Sequence, residues 1–134
     1  MAASKLEGQA SLKTKRSPCR ILIVEDEAEQ RDLLRTIFEA AGYNVATAAN
    51  GEEALQAIRT CQPDVALADL VMPVMDGWTF AYKLRSEGYQ CPLVVLSAFA
   101  MSDALQADIT PEAYLAKPFD LGRLIEVVGR FCPM

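Results

Sequence analysis

Residues 21–24 (ILIV), 65–68 (VALA) and 93–96 (LVVL) are unbroken apolar runs of strand length, and helical patterns lie between them. A strand with one face in water alternates apolar and polar side chains, so an unbroken run marks a strand covered on both faces. The intervening stripes have the other period. Leu34, Ile37, Phe38 and Ala41, then Ala54, Ala57, Ile58 and Cys61, and later Leu121, Leu124, Ile125 and Val128, stand at i, i+3, i+4 and i+7. Gly42 follows the first helix, Asp76-Gly77 opens a third, and Asp120 is placed to cap the last. Residues 45–48 read as a weaker edge strand and 114–116 as a short final one. The coarse order is β-α, five times over. Right-handed crossovers then give an α/β fold: a parallel five-stranded sheet between two helix layers, a (βα)5 three-layer sandwich. Its expected strand order is the flavodoxin-like 2-1-3-4-5.

A chain of 134 residues, 51% apolar and 23% charged, buries about two thirds of its unfolded surface and needs no disulfide or structural metal to fold. Residues 1–18 show no period and are rich in Ser, Lys, Ala and Gly. They read as a disordered basic arm, a linker or an expression remnant, leaving 19–134 as the domain. The arm carries four Lys or Arg against one Glu, and the remainder nine against seventeen acids. The domain therefore repels nucleic acid and anionic membranes, and direct contact with either could come only from the arm. Cys19, Cys61, Cys91 and Cys132 lie far apart without a C-x-x-C pair, and no secretory leader precedes them. Reduced thiols in a soluble, cytoplasmic protein are expected. The apolar runs fall far short of the ~20 residues of a membrane-spanning helix.

In a doubly wound sheet, ligands bind beyond the carboxyl ends of the strands. There the sequence puts Glu25 and Asp26 after strand 1, Asp69 after strand 3, Ser97 after strand 4 and Lys117 after strand 5. Two like charges ~4 Å apart repel by roughly 4 kcal/mol at an effective dielectric of ~20, so clustered carboxylates call for a cation. An oxygen-only ligand set in a chain without histidine favours a hard ion, Mg²⁺ with Mn²⁺ as a substitute. Lys117 adds a point charge suited to a phosphate. Each residue also has a blander role: Asp69 as a helix cap, Asp26 as a partner of the helix dipole, Ser97 in a local turn, Lys117 in solvent, Tyr114 in the core. For Asp69 the cap is disfavoured, because no helix begins directly after it and Met72-Pro73 follows.

Three motifs, Ile21-Leu-Ile-Val-Glu-Asp-Glu27, Asp69-Leu-Val-Met-Pro-Val-Met-Asp-Gly77 and Lys117-Pro-Phe119, with Ser97 in order between the last two, resemble the CheY-like receiver domain of two-component response regulators over roughly 19–132. The resemblance implies a phosphoacceptor signalling switch in a phosphorelay. Asp69 would take the phosphoryl group, and Asp26 would bind Mg²⁺ directly, with Glu25 assisting through water and the Val71 backbone carbonyl completing the set. Lys117 and Ser97 would contact the phosphoryl oxygens, and Tyr114 would turn inward with Ser97 as the switch. The donor would be a histidine kinase or histidine phosphotransfer protein, since this chain has no histidine of its own. The domain would catalyse its own phosphorylation and dephosphorylation without being a turnover enzyme. Val71 and Phe99 occupy positions that influence the reset, and both are apolar.

The stretch between Ser97 and Lys117 is slightly shorter than the family pattern, and Pro111 bars helix at that point. A brief or irregular fourth helix is expected, which bears on the output face of helix 4, strand 5 and helix 5. No output module follows the last helix, so the effector is expected to be a separate protein or a second copy, unless the chain was excised from a longer one. Two rival functions are a phosphorylation-independent docking module and a flavodoxin-like electron carrier. The second would need a glycine- and hydroxyl-rich phosphate loop where Glu25-Asp26-Glu27 stands.

Overall fold

The computed structural model of the chain describes residues 19–69, 77–97 and 112–132. The expected arm at 1–18, the expected helix between strands 4 and 5, Val71 and Phe99 lie outside them. Strands β1 (Arg20–Val24), β2 (Asn44–Ala48), β3 (Val65–Asp69), β4 (Leu93–Ser97) and β5 (Ala113–Ala116) are joined through helices α1 (Ala28–Ala40), α2 (Gly51–Cys61) and α3 (Gly77–Ser86), and α4 (Leu121–Phe131) follows β5. Every pairing is parallel and the order is β2-β1-β3-β4-β5. This is the flavodoxin-like arrangement that the sequence predicts.

Successive strand side chains point to opposite faces, and here both faces are covered. Leu22, Val24, Ala66, Ala68, Leu93 and Val95 pack with Ala54, Leu55 and Ile58 of α2 and Phe80, Ala81 and Leu84 of α3. Ile21, Ile23, Val65, Leu67, Val94 and Leu96 pack on the other side with Leu34 and Phe38 of α1 and Leu124, Val127 and Val128 of α4. Each apolar run thus feeds two separate cores, which is why no polar residue interrupts it.

The helix ends are held locally. Asn50 accepts the Glu53 N–H through its side chain at 2.9 Å, while Glu53 reaches back to accept the Ala49 N–H at 3.0 Å, a reciprocal cap on α2. Asp120 accepts the Gly122 N–H at 3.2 Å and caps α4 as expected. Gly42, at φ 100°, follows α1, a backbone angle that side chains with a Cβ rarely adopt. Two helix stripes differ in detail from the expected ones. In α4, Leu121 stays 39% exposed while Val127 is buried. In α1, Ala41 lies past the end of the helix and Tyr43 takes its place in the core, edge-on to Phe38 with ring centroids 5.3 Å apart.

The expectation of four reduced cysteines is corrected. Cys19 and Cys132 form a disulfide, with Cα atoms 5.9 Å apart and a sequence separation of 113. Sequence distance hid the pair, because α4 packs on the sheet beside the start of β1 and returns the chain to its beginning. Cys61 and Cys91 are free, and burial pushes the Cys91 thiol up to about 12. Among the described residues no helix is long and apolar enough to cross a membrane.

Candidate functional site

The strand register assembles the site. Val24 of β1 stands opposite Ala68 of β3, so the next residue of each strand, Glu25 and Asp69, leaves the sheet on the same edge. The backbone of Glu25 is fixed from two sides. Its N–H donates to the Ala48 carbonyl at 3.0 Å, and its carbonyl accepts from the Arg31 guanidinium at 2.8 Å. The guanidinium also reaches the Asp26 carbonyl at 3.4 Å. Arg31 therefore positions the acidic loop from the first turns of α1. No sequence motif marks it beyond its helical spacing from the loop.

Carboxylate oxygens of Glu25, Asp26 and Asp69 all lie within 4.8 Å of one another. Glu25 is 3% exposed and Asp69 7%, whereas Asp26 faces solvent. Lys117 enters from the far side. It follows β5, whose partner β4 lies between it and β3, and only a long side chain crosses that distance. Its Nζ donates to Asp69 Oδ2 at 2.5 Å and lies 3.9 Å from Glu25 Oε1. The structure therefore brings together Glu25, Asp26, Asp69 and Lys117, as the sequence predicts. Ser97 ends β4 opposite Ala116, but its side chain lies outside the described atoms, as does the Val71 carbonyl.

One ammonium against three carboxylates leaves the cluster short of positive charge. Burial, with the nearby Asp69 charge and a hydrogen bond to Asp26 adding, raises the Glu25 carboxyl to about 6, although the Glu27 N–H and Lys117 oppose the shift. Burial would lower the Lys117 ammonium, but the hydrogen bond and charge of Asp69, helped by Glu25 and Glu27, hold it above the usual lysine range. Lys117 is thus firmly cationic. The remaining deficit and the all-oxygen donor set suit a small hard cation such as Mg²⁺, usually held by one or two carboxylates and water.

Tyr114 stands in β5 opposite Val95 and packs against the core cluster that contains Phe80. Its hydroxyl is buried with no hydrogen-bond partner among the described residues. A buried hydroxyl without a partner costs about 1–3 kcal/mol, and among the described residues no polar contact seals this inward position.

A model of the response regulator receiver domain matches residues 21–129. Response regulator MprA of Mycolicibacterium vanbaalenii is 38% identical over 110 residues, covering 81% of this chain and 48% of that protein. The chain thus spans about half the length of the curated MprA relatives that it matches. A Francisella response regulator receiver domain superposes with a TM-score of 0.79 at 30% identity, covering 84% of this chain and 95% of that one. The receiver domain of a Pseudomonas aeruginosa sensor histidine kinase, solved with a magnesium ion coordinated in its active-site cleft, gives 0.78 at 26% identity, covering 86% and 98%.

Proposed function

Because the chain belongs to the response regulator receiver domain family, we propose that it is a phosphorylation switch whose acceptor is Asp69. The observation that carries this reading is the contact of Asp69 Oδ2 with Lys117 Nζ at 2.5 Å inside a cluster that also holds Glu25 and Asp26. A carboxylate oxygen of Asp69 attacks the phosphorus of a phosphohistidine on a histidine kinase or phosphotransfer protein. The O–P bond forms as the N–P bond breaks, and the departing imidazole takes up a proton. Lys117 neutralises Asp69 beforehand and faces the transferring oxygens as their charge spreads, a preorganised electrostatic role. Ser97 completes the contacts to those oxygens.

Asp26, Asp69, the Val71 carbonyl and, through water, Glu25 would hold Mg²⁺, which supplies the positive charge that the three acids lack. Mn²⁺ has the same ligand preference. Glu25 and Asp69 are held by strand ends, so geometry is set before a donor arrives and catalysis is mostly positioning. The acyl phosphate on Asp69 is open to attack by water, which regenerates the carboxylate and releases phosphate. The domain is therefore a self-resetting switch and not a turnover enzyme. Ser97 and Tyr114 relay the state to the surface, where an effector or a second copy reads it. Intact-mass measurement after incubation with acetyl phosphate tests this. A gain of one phosphoryl group with Mg²⁺, lost on chelation and in Asp69→Asn, is expected. A gain that survives in Asp69→Asn, or none in the presence of Mg²⁺, would overturn the reading.

A further inference from the structure

The end of the sheet opposite the acidic cluster carries the other concentration of reactive side chains. Cys19 immediately precedes β1 and Cys132 immediately follows α4, and their disulfide ties the two. Around it, the Cys19 carbonyl accepts the Asn44 N–H at 2.9 Å, and the Tyr43 hydroxyl donates to the Cys132 carbonyl at 3.3 Å. A carboxylate oxygen of Asp64 lies within 4.8 Å of both sulfurs, and Asp64 Oδ2 accepts the Arg20 N–H at 2.9 Å. Helix α4 belongs to no strand ladder. It is held by the apolar contacts of Leu124, Val127 and Val128, by the Tyr43 hydrogen bond to the Cys132 carbonyl and by this covalent tie.

Cys132 is one of fourteen buried members of the core beneath α1 and α4, and Cys19 packs at its edge, while a domain of this size folds on its core alone. The bond is therefore an addition to the fold and not a condition of it. Cys132 is 2% exposed, whereas Cys19 is only partly buried, so a small thiol or disulfide reaches the pair from the Cys19 side. A cross-link closing 113 residues also removes more unfolded-chain freedom than a short loop does.

We propose that Cys19 and Cys132 are a redox-operated clasp on α4, closed and opened by exchange with a low-molecular-weight disulfide and thiol of the glutathione class. In closing, the Cys19 thiolate attacks one sulfur of the small disulfide and expels its other half as a thiolate. The Cys132 thiolate then attacks the Cys19 sulfur and expels the second half. One protein disulfide forms and two small thiols leave, carrying the two electrons and two protons of the cysteine pair. The closed form holds α4 against the sheet, and the open form leaves it on its apolar packing and the Tyr43 hydrogen bond. The clasp lies across the sheet from Asp69, so its chemistry is independent of the phosphoacceptor reading.

The full chain, equilibrated across a series of reduced-to-oxidised glutathione ratios and then alkylated, reads the state by intact mass and peptide mapping. A reversible Cys19–Cys132 cross-link, formed at a rate independent of protein concentration with Cys61 and Cys91 still alkylated, is expected. Reduction should lower Tm by about 10–20 °C. Cys19→Ser and Cys132→Ser should each melt like the reduced protein and ignore reductant, while Cys61→Ser keeps the full shift. Intermolecular dimers in place of the internal link, or a link that leaves Tm unmoved, would overturn the proposal. So would stoichiometric zinc uptake by the reduced pair with Asp64, which would make this a metal site instead.

Discussion

Replacing Glu25 with glutamine should stabilise the cation-free protein, although it removes a buried group that makes a hydrogen bond. The carboxyl of Glu25 titrates near 6 in the folded chain against an ordinary 4.5. Between those values the folded state holds more protons than the unfolded one, so stability falls as pH rises through that window. Above it the ionised, 3% exposed side chain carries the full penalty, about 2 kcal/mol for a shift of roughly one and a half units. Glutamine has no such charge and can still accept the Glu27 N–H that Glu25 accepts at 3.2 Å. The attraction of Lys117 is already contained in the shifted value. Urea unfolding of Glu25→Gln in chelator at about pH 8 should therefore show a midpoint roughly 1 M above the parent, and the gap should close towards about pH 4.5. Subtracting the two curves cancels other groups that titrate alike in both proteins. Added Mg²⁺ should raise the parent more than the variant, because only the parent has the full ligand set. A variant less stable than the parent at high pH, or a difference that ignores pH, would refute the electrostatic account of the cluster.

Lys117→Met should fold and lower the rate of phosphorylation by acetyl phosphate by about 10²-fold or more, the usual cost of losing a charge aimed at the transferring group; quench-flow or mass kinetics reads it. Tyr114→Phe deletes the buried hydroxyl that has no partner among the described residues and should raise the unfolding free energy by about 1 kcal/mol, measured in urea. A loss of similar size would mean that the hydroxyl is hydrogen-bonded.

The strands were legible because each run serves two cores at once. Ile21 and Ile23 feed one, Leu22 and Val24 the other, and that demand leaves no room for a polar residue. The site followed from the same logic, since parallel strands deliver their next residues to one edge, and Glu25, Asp69 and Lys117 meet there. The phase of α4 was harder. Leu121 and Val127 both fit an apolar stripe through Leu124 and Val128, and only packing in the core on that face of the sheet decides between them. Arg31 left no trace because its guanidinium acts on main-chain carbonyls, which any sequence offers. The disulfide escaped because closure across 113 residues is a property of topology and not of spacing.

Borohydride trapping reads the acceptor itself. An acyl phosphate on an aspartate is reduced to homoserine, so protein treated with acetyl phosphate and Mg²⁺, reduced and digested should carry homoserine at position 69. The same peptide from a chelated sample should keep aspartate there. Homoserine at position 26 instead, or none anywhere in protein whose intact mass shows a bound phosphoryl group, would contradict the assignment of Asp69.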